Sequence, residues 1–202
     1  MKQQWRAGNQ LYPLPAVMVS IGDSPETYNI ITIAWVGTIC SDPAMVYISV
    51  RPNRYSHSII ERTGEFVINL TNKQLSYATD WCGVKSGRNV NKFEQMHLTP
   101  EPSAMIKAPA IAESPLSIEC RVKQKISLGT HDMFIAEVLC VQANEKYIDP
   151  KTGTFDLAKA NPICYSHGKY YEVGAEIGKF GFSVQKKKNL NGKRQNKNRP
   201  QQ

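Results

Sequence analysis

The stretch Val46-Tyr47-Ile48-Ser49-Val50-Arg51-Pro52-Asn53-Arg54-Tyr55-Ser56-His57-Ser58-Ile59-Ile60-Glu61-Arg62-Thr63-Gly64-Glu65-Phe66-Val67-Ile68-Asn69-Leu70 decides how the rest of the chain is read. Val46, Ile48 and Val50 alternate with Tyr47, Ser49 and Arg51, the period-two pattern of a half-buried strand. Pro52 ends that strand because proline has no N–H to give a ladder. Asn53 and Ser56 are both N-cap residue types, the apolar pair Ile59 and Ile60 follows, and Gly64 supplies a C-terminal stop. About two helical turns are expected there. Glu65 to Leu70 then reads as a second strand.

At the joint, Arg51, Arg54, Tyr55, Ser56, His57 and Ser58 crowd around the start of the helix. Free backbone N–H groups and the helix dipole favour an anion at such a point. This is a phosphate site in outline; a surface turn with ordinary caps and two solvated arginines fits the same residues, and both readings stay open.

Outward from this stretch, Leu14 to Ile21 is an apolar run of strand length, and Ile30 to Cys40 is a second, β-branched run closed by Asp42-Pro43. Thr71 to Asn91 turns polar, with Gly83, Lys85, Ser86, Gly87 and Arg88 close together, and suits a mobile loop and a short helix better than core. Glu113 to Ile126 and Asp132 to Ala143 read as strands joined by a hairpin-like Leu128-Gly129-Thr130-His131-Asp132. Ile163 to Tyr171 adds one more strand or hairpin, whose tyrosines suit a core edge or an interface. Many short strands, few helices and no regular βαβ alternation point to a mainly β (α+β) chain with an antiparallel, closed or partly closed barrel.

Composition narrows the functions. A chain of 202 residues suits one domain. Of the formal charge of +8, seven cations lie after residue 185 with no acid among them, leaving +1 for residues 1–185. The expected division is therefore a domain over 1–185 and a basic, disordered tail over 186–202. That tail is read as a solubilising extension, with a nucleic-acid arm as the alternative. The five cysteines are widely spaced and form no C-x-x-C pair, which argues against a disulfide framework or a zinc site and suits a reducing compartment. The N-terminus lacks a signal core and no apolar run is long enough to span a bilayer, so a cytoplasmic location and no membrane partner are expected. G-x-G-x-x-G, G-x-x-x-x-G-K-[ST], G-x-S-x-G and H-E-x-x-H are all missing, and the four histidines are scattered; no metal is expected.

Pro13 to Ser20, Asn29 to Thr38, Ile48 to Ser56, Phe66 to Leu70, Gly83 to Arg88, Gly129 to Phe134 and Gly178 to Ser183, in this order and spacing, resemble the flavoredoxin branch of the flavin reductase family. The resemblance implies an FMN-binding split barrel of antiparallel Greek-key type with a few short helices, present as a homodimer. It implies that Thr32, Ala34 and Trp35 line the flavin, that Ser49, Val50 and Arg51 run beside it, and that Arg51, Arg54, Tyr55 and Ser56 hold the phosphate. Ser86, Gly87 and Lys92 would close the ribityl and phosphate end, and His131 and Phe180 would lie near the ring or the nicotinamide. The implied function is transfer of electrons from NAD(P)H or a redox protein, through FMN, to free flavin, a metal complex or another redox protein. Catalysis would then need no protein acid or base, because the chemistry belongs to the cofactor. A flavin carrier without turnover, or a barrel acting on nucleic acid through its tail, is the alternative, with nucleic acid the less expected partner.

Overall fold

The computed structural model describes residues 1–185; the expectation of a disordered basic tail at 186–202 lies outside the described residues. In chain order the elements are β1 (Leu14–Pro15), β2 (Val17–Ile21), β3 (Asn29–Ile33), β4 (Val36–Ser41), β5 (Ala44–Val50), α1 (Tyr55–Thr63), β6 (Glu65–Leu70), α2 (Ser76–Val84) and α3 (Lys92–Gln95). There follow β7 (Pro100–Glu101), β8 (Ala110–Ile111), β9 (Leu116–Ser127), β10 (Asp132–Ala143), α4 (Leu157–Ala160), β11 (Ile163–Ser166) and β12 (Lys169–Glu172). Seven strands form one sheet in the order β3-β2-β6-β9-β10-β5-β4, and every neighbouring pair in it is antiparallel. Its two end strands, β3 and β4, are consecutive in the chain but do not pair, so the sheet curls without closing. A three-stranded sheet, β1-β11-β12, stands beside it.

The chain makes this shape because β2 is buried on both faces. Val17, Val19 and Ile21 join Phe66, Ile68 and Phe134 inside the curled sheet. Met18 looks the other way, into a second cluster with Ile30, Leu75, Cys82 and Phe93 under α2 and α3. Ser20, the one polar residue of the strand, donates to the Pro109 carbonyl and accepts from Asn69 Nδ2, so its burial leaves nothing unpaired.

Helix α1 caps the curled sheet with Ile59 and Ile60, each side chain worth about 1.5–3 kcal/mol when fully buried. Gly64 ends it as expected, in the left-handed conformation at φ 66°, its N–H bonded to the Ile60 carbonyl. The start differs from the expectation: Arg54 occupies the N-cap and makes no side-chain cap bond. Ser56 is already inside the helix, where its Oγ accepts from Asn29 Nδ2. Two further expectations are revised. The run from Ile30 to Cys40 is not one strand, because the chain turns at Ala34-Trp35 and sends β3 and β4 to opposite ends of the sheet. Within Thr71 to Asn91 lies a nine-residue helix, α2, whose Ala78, Thr79 and Cys82 are buried against the outer face of β2 and β3.

Candidate functional site

Two adjoining cavities open at the place where the sheet fails to close. The larger, about 730 Å³, runs between the Ala34-Trp35 corner, the end of β5, the β9–β10 hairpin and the β11–β12 hairpin. The narrower cleft, about 250 Å³, lies between the start of α1 and the loop that joins α2 to α3. Ile31, Arg51, Arg54 and Gly83 line both, so they form one continuous site.

In the larger chamber the structure brings together Thr32, Ala34, Trp35, Ser49, Val50, Arg51 and His131. The Ser49 N–H donates to the Trp35 carbonyl at 2.9 Å and fixes the corner against β5. The Trp35 and His131 rings are parallel, 3° between planes, with centroids 6.2 Å apart. Burial, and then the positive charge of Arg51, hold the His131 imidazole below its ordinary pKa, so it is neutral at neutral pH. Thr32 does not offer its hydroxyl to the chamber: Oγ1 donates to the Thr79 carbonyl and pins α2 to β3. At the far wall the Tyr170 hydroxyl donates to Asp80 at 3.2 Å, and burial, with Asp80 beside it, pushes its pKa up to about 12. Tyr165 packs edge-on against Tyr170 and also lines this wall, whereas Tyr171 is exposed.

The narrow cleft collects Arg51, Arg54, Tyr55, Ser56, Ser86, Gly87 and Lys92. Lys92 is only 3% exposed, and its Nζ donates to the Ile30 carbonyl at 2.6 Å and to the Cys82 carbonyl at 2.7 Å. An ammonium carries three donors, so one remains for whatever enters the cleft. Burial lowers the Lys92 pKa to about 8, the cost of holding a cation there without a carboxylate. Ser56 is equally buried; because its Oγ accepts from Asn29, its own proton is free to donate. No acidic residue lines the cleft. Together with the first-turn N–H groups of α1, this donor set suits an anion with several acceptor oxygens.

His57, counted in the sequence among the residues at the helix start, turns away from the cleft. It is buried against the edge of Phe134, and its Nε2 lies 2.8 Å from Asp132 Oδ2. That bond, with weaker help from Ser127, keeps the Asp132 carboxyl below its usual range. The pair ties α1 to the strand that presents His131. Phe180 is fully exposed and is not brought to either cavity.

Sequence reasoning missed Asn29. Its side chain holds Ser56, and its Oδ1 is the buried polar side-chain atom without a partner among the described residues. It also lies so close to Gly87 that a Cβ there would come within 2.2 Å of Oδ1. No local pattern marks Asn29, which acts on residues far along the chain. Asn91 caps α3 by accepting from the Phe93 and Glu94 N–H groups. Among the described residues no cluster of metal-ligating side chains occurs, and no helix is long and apolar enough to cross a membrane.

With this geometry in hand, the comparisons with known proteins agree closely. The pattern of the Flavin reductase like domain matches residues 9–174. An uncharacterized protein of Archaeoglobus fulgidus is 33% identical over 141 residues, 70% of this chain and 78% of that one. The flavoredoxin of Desulfovibrio vulgaris (Miyazaki F) superposes with a TM-score of 0.85 at 30% identity, covering 92% of this chain and all of that one. A flavoredoxin from Methanosarcina acetivorans gives a TM-score of 0.81 at 25% identity over the same 92% of this chain.

Proposed function

The chain belongs to the Flavin reductase like domain family, and on that premise we propose that it is an FMN-dependent oxidoreductase that takes electrons from NAD(P)H or a redox protein and passes them to a small-molecule or protein acceptor. The observation that carries the reading is the junction of the two cavities: a cleft with a buried ammonium and no acid opens directly into a chamber walled by two parallel rings. FMN has the matching parts, a phosphate dianion and a flat heterocycle.

The residues present fit that group. Lys92, Ser56, Arg51 and Arg54, with the α1 N-terminus, would hold the phosphate. Tyr55, Ser86 and Gly87 would enclose the ribityl and phosphate end, and Thr32, Ala34, Trp35, Ser49, Val50 and His131 would line the ring. Bound there, FMN supplies a ring able to accept a hydride from nicotinamide and release electrons onward. The protein's own work is positioning and exclusion of water: Lys92 holds charge at the floor of the cleft, Asn29 aims the Ser56 proton, and the paired carbonyl of Trp35 fixes the corner. A neutral His131 adds no second positive charge beside Arg51.

The reading extends to a homodimer, to a functional unit complete within residues 1–185 with the basic tail as an accessory, and to a cytoplasmic setting. The exposed apolar side chains of both ends, among them Trp5, Leu11, Ile177 and Phe180, support self-association. The absence of a disulfide among the five cysteines supports a reducing compartment.

The test is spectroscopic. Purified protein, as isolated or after addition of FMN, is expected to show flavin absorbance that bleaches under anaerobic conditions on adding NADH or NADPH. Protein that stays colourless with excess FMN overturns the reading; protein that binds FMN but is bleached by neither dinucleotide is a carrier or takes electrons from a redox protein.

A further inference from the structure

Five cations line the narrow cleft, more than one phosphate requires, and they divide by position: Arg51 and Arg54 flank the start of α1. Lys92 lies at the floor beside Ser56, both buried. Lys85 and Arg88 are exposed at the rim, on the loop that follows α2. Neither forms a salt bridge among the described residues. Because residues 1–185 carry a net charge of only +1, this concentration is local rather than a background of the whole surface. Arg88 is also held in place, its guanidinium 5.7 Å from the centre of the Tyr55 ring.

We propose that Lys85 and Arg88 form a second anion subsite, above the phosphate floor, which takes the diphosphate of the reducing nicotinamide dinucleotide. The inference rests on the flavin reading above. In FMN and in NAD(P)H alike, a pentose-derived linker separates the reacting ring from the nearest phosphate. When the nicotinamide stacks on the flavin with both linkers running the same way, the two sets of phosphates arrive at the same end of the site, one over the other. The chamber and the cleft share Arg51, Arg54 and Gly83, so a molecule lying over the chamber runs without interruption to the rim. Position then assigns the roles. Arg51 and Arg54 stand with buried Lys92 around the start of α1 and suit a resident cofactor's phosphate, whereas Lys85 and Arg88 stand apart on the loop after α2, exposed and salt-screened, and bind weakly enough for a substrate that must leave at every turnover.

The experiment uses the full chain loaded with FMN, with ferricyanide in excess as acceptor, and compares it with the Lys85→Ala/Arg88→Ala double variant. Two exposed ion pairs lost together are expected to raise KM for NADH and NADPH by about tenfold. Turnover at saturation and bound FMN should match the parent, and the rise of KM with salt should be shallower in the variant. An unchanged KM with the parent's salt dependence overturns the subsite. So does loss of FMN from the variant, which would assign both cations to the cofactor's own phosphate. A flavin-loaded parent that oxidises neither dinucleotide overturns the subsite while leaving the flavin reading intact; a parent that binds no FMN removes both, and its lack of colour tells the two failures apart.

Discussion

The Trp35 indole and the His131 imidazole lie parallel in the wall of the larger chamber, 3° between planes and 6.2 Å between centroids, although one stands between β3 and β4 and the other just before β10, far along the chain. The two rings set one common orientation at the place where β3 gives way to β4. A planar ligand that adopts it gains aromatic contact without either side chain having to move. Replacing Trp35 with Ala should weaken FMN binding by about 0.5–1.5 kcal/mol, the usual worth of an aromatic pair beyond its buried area. Titration followed by quenching of flavin fluorescence measures it, and an unchanged affinity would place the ring outside the binding slot.

Arg51 separates FMN from riboflavin. Lining both cavities and exposed, it has no purpose in the narrow cleft for a flavin without phosphate. Arg51→Ala should cost on the order of 1.5–3 kcal/mol of FMN affinity, the range for a hydrogen bond to a charged group, and much less for riboflavin. Parallel calorimetric titrations of both flavins test this; equal losses would show that Arg51 serves the ring.

Lys92 predicts two pH effects of opposite sign. Its pKa in the folded, ligand-free protein is about 8, against an ordinary 10.5. Above about 8 the ammonium loses its proton, so FMN affinity should start to fall there. Between about 8 and 10.5 the unfolded chain binds more protons than the folded one, so this group adds to the stability of the ligand-free protein as pH rises. Denaturant melts and FMN titrations across that window check both signs. Lys92→Met should flatten the pH dependence of binding, while leaving the Ile30 and Cys82 carbonyls without their donor.

Two glycines of the same loop region should respond differently to alanine. At Gly87 a Cβ would come within 2.2 Å of Asn29 Oδ1, forcing Asn29 away from Ser56 or the loop away from the cleft. At Gly83 the nearest atom is Thr32 Cβ at 3.2 Å, a contact relieved by a small shift. Gly87→Ala is therefore expected to lower FMN affinity severalfold more than Gly83→Ala, with similar melting temperatures. The reverse order would mean that Asn29 does not support the phosphate site.

Truncation after Gln185 should leave FMN content and NAD(P)H oxidation unchanged, since among the described residues both cavities are walled by Asn9 to Tyr170. Sedimentation of the same protein at micromolar concentration should give a dimer. Loss of flavin on truncation would show that the basic segment contributes to the site.

Much of this was readable in the residues. The strand, helix and strand from Val46 to Leu70 carry their own punctuation in Pro52 and Gly64, and the alternation of Val46, Ile48 and Val50 survives intact in β5. The N-cap was misjudged because Ser56 is engaged by Asn29, a partner 27 residues away that no local pattern announces. The corner at Ala34-Trp35 lacks Gly or Pro, so one β-branched run concealed two strands at opposite ends of the sheet. In α2 the polar composition hid a buried face, because Thr79 satisfies its hydroxyl on the Leu75 carbonyl within the helix itself. The anion cleft was legible as a cluster of types near a helix start; that Lys92 lies at its floor depends on two backbone carbonyls that only the fold brings together.

The unpaired edge of β3 has a further meaning. Lys92 takes the Ile30 carbonyl, and in an antiparallel strand the peptide groups of Ile30 and Thr32 turn to the same side. Thr32 also lines the larger chamber, so the open edge of the sheet borders it. A heterocycle that alternates acceptors and donors along one side can occupy that place as a missing rung of the ladder. Ligand and sheet would then become one hydrogen-bonded object, and slowed amide exchange at Thr32 and Ala34 on addition of FMN would be its signature.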